Sequence, residues 1–443
     1  MCVGCEFLSL SFSAQHALCL LVLCLLGATT LLFTVHRWSS GPAVFSATSR
    51  DRTLPQAGKA GAVVVQEVGA ASIPIADPSD TPPEPAAERY MIYDCKSYCG
   101  GWADRLKGIV FAYVIATLTN RTFGIRITDN PCPLTDFVRP NEVNWSLPET
   151  VDLESGARAY RRLDSVGFYK SVATSDLEDL FPSRVALLTA NLDYFDQIKA
   201  NERYRKQLEW MMPLSRDRIF SRIYRKLFRF SPSVQRAVDR ALSSARPSQD
   251  SSGRLVCAHL RFAANSETLR DSVKRHTNAH GDTLLTFLQK FDPSSPNYDE
   301  VEARNAFPDT TTSSAAVAAA EASPRARTSP GEHVRFFVAS DSRRFSERAS
   351  ELFGDRFVRT EGEVVHVDKP GKDRRAACEG FTKVLADQHL LSTCDVLVLS
   401  KSGLGRQAAY LRGTDRGLFC LLMDGSLRKC SASRLRELYG VLG

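Results

Sequence analysis

The chain contains no D-x-D triplet. That removes the closely spaced carboxylates with which many diphosphate-handling proteins hold a divalent ion. It also has no run of five or six like charges. Acidic tails and basic nucleic-acid arms are therefore excluded. Cys95 and Cys99 are followed by no second pair at finger spacing, which argues against a structural zinc site.

What is present is ordinary for a globular protein, with 43% hydrophobic and 24% charged residues and a net charge of +7 over 443 residues. This length holds about two or three domains. Residues 216–246 hold nine of the 57 Lys and Arg, within helical patterns, and nucleic acid is not an expected partner. Residues 17–35 (ALCLLVLCLLGATTLLFTV) are apolar and uncharged. As a helix they span about 28 Å, near the hydrocarbon thickness of a bilayer. A cleaved signal peptide and a signal-anchor both fit. The anchor is favoured by the missing basic n-region, the preceding residues 1–16 and the length of the run. Flanking charges leave orientation open. Residues 36–88, rich in Ala, Ser, Pro and Gly, read as a flexible stem. Eight cysteines lie beyond it, an even number that permits disulfides in an oxidising lumen. Spacing leaves their pairing open. Cys420 with Cys430 fits a hairpin, and Cys95 or Cys99 with Cys132 is a further candidate. Asn120 and Asn144 stand in N-x-[ST] triplets. Asn120 falls beside an expected helix end that shields it, so Asn144 is the preferred glycosylation site.

Residues 89–94 predict a short strand, 102–118 a buried helix and 122–127 a second strand, joined by a loop ending in Gly100-Gly101. This βαβ order aims the helix N-terminus at the carboxyl edge of a sheet. Asp104 and Arg105 fall in that first turn. Further on come a strand at 184–192, helices at 194–210 and 216–228, and a helix at 232–245 capped by Ser231. Residues 246–252 read as a linker, dividing a first domain (89–246) from a second (253–443). The second alternates strands (255–261, 334–339, 363–367, 395–399, 418–423) with helices (282–291, 342–353, 376–393, 403–412, 433–439). Residues 294–332 read as a mostly disordered surface insertion. Strands separated by helices imply a parallel, doubly wound sheet with its strand carboxyl ends along one edge.

Three of those strand ends carry chemistry. One bears His259 and Arg261, two apart and on one side of the strand. The second ends Ser340-Asp341 and the third Ser400-Lys401-Ser402-Gly403, each just before a helix. A guanidinium holds phosphate oxygens bidentately. A hydroxyl with free helix amides also favours negative charge. Together they predict a diphosphate crevice outside the strand ends. A carboxylate is wanted there as proton acceptor, and Glu267 and Asp104 are the two candidates.

The segments CGGWADRL (99–106), LTNRTFGI (118–125) and RPNEVNW (139–145) resemble a eukaryotic family of fucosyltransferase-like proteins. The HLR of 259–261, the ASD of 339–341 and LLSTCDVLVLSKSGLGRQAA (390–409) resemble the α1,2-, α1,6- and protein O-fucosyltransferase superfamily. The resemblance implies a GT-B fold, two Rossmann-like domains facing a cleft. It implies inverting transfer from GDP-fucose without metal or other cofactor, to a glycan or glycoprotein acceptor. By that resemblance Arg261 holds the β-phosphate, Asp341 the nucleotide or ribose, and Ser402 and Gly403 the phosphates. Gly100, Gly101 and Arg105 lie across the cleft, nearer the sugar. The segment after HLR, FAANSE, lacks the charged residues that often follow this motif. The chain is then expected to be a single-pass type II Golgi membrane protein with a luminal catalytic part. The competing readings are the same fold with another nucleotide sugar, or a catalytically silent glycan-binding protein.

Overall fold

A computed structural model describes residues 88–440 except 98, 129–131, 154–155, 162–164, 248–252, 265, 267–274, 308–333 and 368–372. The expected tail, membrane segment and stem lie outside the described residues. Among the described residues, no helix is long and apolar enough to cross a membrane.

The first half begins with β1 (Tyr90–Cys95), every residue of which is buried. Helix α1 (Trp102–Leu118) follows, then β2 (Thr122–Ile127). Helix α1 is apolar on almost every side, which matches burial all round and not a surface stripe. Short strands β3 (Val138–Pro140) and β4 (Ala157–Tyr160) come next, then helices α2 (Val166–Thr174) and α3 (Leu177–Leu180). Strand β5 (Val185–Leu188) and helices α4 (Phe195–Ala200) and α5 (Arg216–Leu227) follow. Strand β6 (Phe228–Phe230) and helix α6 (Pro232–Ala245) complete this half. The sheet has the order β2-β1-β5-β4 and is parallel throughout. Strands β3 and β6 form a separate antiparallel pair.

The second half holds β7 (Arg254–Leu260), α7 (Asn278–Gln289), α8 (Glu300–Ala306) and β8 (Val334–Ser340). Then come α9 (Arg343–Phe353), β9 (Phe357–Val358), α10 (Arg374–Ser392) and β10 (Val396–Leu399). Helix α11 (Gly403–Arg412), strands β11 (Leu418–Leu421) and β12 (Leu427–Lys429), and helix α12 (Leu435–Tyr439) end the described chain. The sheet order is β12-β11-β10-β7-β8-β9, parallel except for β12. Strand order reverses between β7 and β10, so a crevice opens at their carboxyl ends. Trp102 of α1 packs edge-on against Phe381 of α10, with ring centroids 5.2 Å apart.

Several expectations are corrected. The helix expected over 194–210 stops at Ala200, because the Asn201 side chain donates to the carbonyls of Val172 and Ser175, each at 2.9 Å. No strand forms over 363–367. There Val365 fills a notch at Gly380 of α10, where an added Cβ would come within 2.5 Å of its methyls. The strand in that place is β9. Part of the expected insertion is ordered, since α8 buries Ala303, Ala306 and Phe307 against the second sheet; its remainder, 308–332, lies outside the described residues. Cys95 pairs with Cys99 and Cys132 with Cys378, in place of the expected Cys95 or Cys99 with Cys132. Cys257 pairs with Cys394, and Cys420 with Cys430. Asn120, expected to be shielded, is exposed in a left-handed turn, and Asn144 is exposed as well.

Candidate functional site

Two βα turns meet across one cleft. On one side the Gly100-Gly101 turn, with Gly100 at φ +79°, delivers the N-terminus of α1. On the other, β10 runs through Ser400-Lys401-Ser402 into α11. Among the described residues neither helix has a side-chain cap on its first amides, and helix-opening N–H groups favour an anion. The two ends approach closely. A Cβ on Gly403 would lie 2.8 Å from that of Ala103, and Gln407 Nε2 donates to the Ala103 carbonyl at 2.6 Å.

The cleft between them has a volume of about 590 Å³. Five cations face it: Lys107, Arg261, Arg275, Lys401 and Arg406. Asp104 is the one carboxylate among its described lining residues, with Lys107 Nζ 2.9 Å from its Oδ1. Excess positive charge and two helix N-termini in a walled site favour a polyanion.

Arg261 is held in a specific pose. Its Nη1 lies 3.0 Å from Asp341 Oδ2, and its backbone N–H donates to Ser400 Oγ at 2.9 Å. Asp341 is buried, and its two oxygens also accept from Phe262 N–H and Ala263 N–H at 2.8 Å each. Those bonds fasten the loop after β7, where Ala263 sits at φ +57°, a conformation that costs a non-glycine residue energy. Burial raises the Asp341 carboxyl above its ordinary range, while Arg261 and the loop amides pull it down. His259 is buried beside Gly405 of α11, and its Nδ1 has no hydrogen-bond partner among the described residues. Burial first, and the Arg261 charge second, lower its pKa to about 3. The imidazole is therefore neutral near pH 7, and the positive charge at this strand end belongs to Arg261.

Six of the expected residues line the cleft: Gly101, Asp104, His259, Arg261, Ser402 and Gly403. Four stand behind its wall. Arg105 is fully buried, and its Nε donates to the Gly100 carbonyl at 3.0 Å, bracing the turn. Ser340 Oγ donates to the Leu260 carbonyl at 2.9 Å. Asp341 spends both oxygens on Arg261 and the loop, where contact with the nucleotide or ribose was expected. Glu267 lies outside the described residues. Sequence reasoning passed over Arg275, Arg406, Lys107 and His366, all in the lining. Arg406 had a readable signal, one turn into the helix that Ser402 opens. Arg275 stands in no motif, and only the fold returns it to the cleft.

Fold and site together describe an α/β protein with two largely parallel sheets and a small antiparallel pair, carrying a cation-lined cleft at a sheet switch point. No family model and no curated protein sequence matches the chain. Solved structures do show similarity, and fucosyltransferases are among them. A mutant of Arabidopsis thaliana FUT1 in complex with GDP has 15% identity and a TM-score of 0.48, over 75% of this chain and 70% of that one. NodZ alpha-1,6-fucosyltransferase soaked with GDP-fucose has 14% identity and a TM-score of 0.41, over 78% and 99%. NodZ from Bradyrhizobium has 15% identity and a TM-score of 0.40, over 77% and 98%. Overlap at this level leaves the chemistry to be read from the site's own residues.

Proposed function

We propose that the protein is a glycosyltransferase that moves fucose from GDP-fucose to a hydroxyl of a glycan or glycoprotein. The observation that carries this reading is the cleft at the β7/β10 switch point. There Arg261, pinned by Asp341, stands beside the amides that open α11. A diphosphate seated there meets guanidinium and N–H donors along its oxygens. The acceptor hydroxyl attacks the anomeric carbon as the bond from that carbon to the diphosphate oxygen breaks. GDP leaves with the electron pair, its charge taken up by Arg261 and the helix terminus. Asp104 receives the hydroxyl proton from the opposite wall, so attack and departure are on opposite faces and configuration inverts. The cleft cations neutralise the leaving group in the place a metal ion would otherwise take.

A secretory setting is supported by the cysteines. The eight beyond residue 87 form four disulfides, which belong to an oxidising compartment. A Golgi type II anchor over 17–35, with 89–246 and 253–443 as luminal domains, completes the reading.

Calorimetric titration of the full chain with GDP, UDP and their sugars tests it. GDP and GDP-fucose are expected to bind tightest. Tightest binding by UDP would move the reading to another nucleotide sugar, and no nucleotide binding would end it. Arg261→Ala should lower transfer by about 10²- to 10³-fold, the range for losing one charge-stabilising donor. Asp104→Asn should lower kcat with little change in GDP affinity.

A further inference from the structure

Away from the cleft, one short segment carries a marked excess of positive charge. Residues 201–230 contain nine Lys and Arg and three Asp and Glu, a net charge of +6 within a chain of +7. Helix α5 displays much of it. Arg218, Arg222 and Arg225 project at four- and three-residue spacing, and Arg229 follows; all four are exposed. Among the described residues no carboxylate pairs with Arg222, Arg225, Lys226 or Arg229, whereas Arg216, at the start of the same helix, is paired with both Asp193 and Asp196. Arg218 has a long contact with Asp217 at 3.8 Å and Arg225 donates to the Leu411 carbonyl at 2.9 Å, so most of the row's charge is not neutralised by the protein's own acids.

An apolar slot of about 270 Å³ opens beside the row, floored by Val114, Leu118, Leu208 and Ile223. Trp210 and Tyr113 form its sides. The two cations at its rim rest on those rings. The Arg222 guanidinium lies 5.0 Å over Trp210, and Lys226 Nζ lies 5.9 Å over Tyr113. Cation–π contact holds them in place without neutralising them. Tyr113 is eleven residues along α1 from Trp102 in the donor cleft, roughly 16 Å at the helical rise.

We propose that this face docks an acidic polypeptide segment bearing one apolar anchor side chain. The slot takes the anchor. The arginine row, about 10 Å long from Arg218 to Arg225 at the helical rise, tracks the carboxylates of an extended chain. An anionic sugar polymer uses the row but has nothing for the slot. A lipid uses the slot and its rim but leaves the row idle. A peptide with both features uses all of it. The assignment does not depend on the donor cleft.

The test is fluorescence anisotropy of the full chain with a short labelled Glu-rich peptide carrying one central tryptophan. Binding should weaken at least about tenfold, a loss typical of an anchor residue, when that tryptophan is replaced by alanine. Arg222→Glu with Arg225→Glu should weaken it similarly, with unchanged circular dichroism and thermal midpoint. Raised salt should weaken it further. Equal binding of the anchorless peptide overturns the proposal in favour of a plain polyelectrolyte surface. Capture of anionic phospholipid vesicles or heparin with no peptide binding overturns it as well. Weak binding by every probe does the same.

Discussion

Asp341 decides what Arg261 is able to do. One carboxylate fixes the guanidinium and two successive loop amides. Replacing it by Asn turns one acceptor into a donor aimed at an N–H or at the guanidinium. Breaking a buried pair of this kind costs about 3–5 kcal/mol. Asp341→Asn is therefore expected to lower unfolding free energy by that order and to weaken GDP binding, as read by denaturant titration and calorimetry. Unchanged values for both would show that Arg261 keeps its pose without it. His259 sets a pH dependence. Its folded pKa of about 3 lies below the ordinary value near 6.5, so the unfolded chain takes up a proton first as pH falls. Its contribution is complete above about pH 6.5. It shrinks by about 1.4 kcal/mol per pH unit below that, until the folded protein also protonates near about 3. His276, lowered to about 4 chiefly by burial, adds a parallel loss. The slope of stability between about pH 7 and about pH 5 should be shallower in His259→Gln than in the parent. An identical slope would remove His259 from the account.

At the scale of elements, the site is a meeting of two helix N-termini, and Gly403 lets them meet. A methyl there overlaps Ala103 at 2.8 Å, and backbone would have to part. Gly403→Ala should cost about 1–3 kcal/mol in stability, the usual range for overpacking, and weaken GDP binding. Adding Ala103→Gly should restore both, because it removes the opposing carbon. Failure of that rescue would mean the methyl acts elsewhere. Helix α1 was readable to the residue because Gly100-Gly101 marks its start and apolar residues run to Leu118. Helix α11 was equally plain, opened by Ser402 and stopped by Gly413 in the left-handed region. The segment 363–367 was not. Its three valines favour a strand, yet a glycine notch on α10 takes Val365 and lays the segment along the cleft.

At the scale of the molecule, a disulfide ties the halves. Cys132 lies after β2 and Cys378 lies on α10, 246 residues apart in sequence. Bridging so long a loop restricts the unfolded chain, worth about 2–4 kcal/mol. Cys378→Ser should lower stability by about that much in chemical denaturation, and no change would mean the halves hold without the bond.

The alternation of apolar strands and helices, the two Gly- and Ser-marked βα turns and the basic strand end were determined by local sequence. Their physical causes are local: backbone preference, periodicity and capping. Which residues face the cleft was decided only by the tertiary structure. Arg275 reaches the cleft, Asp341 turns away from it, Arg105 is sealed inside, and Cys132 finds Cys378. Each outcome depends on which distant groups share a buried volume, and burial is a property of the packed whole.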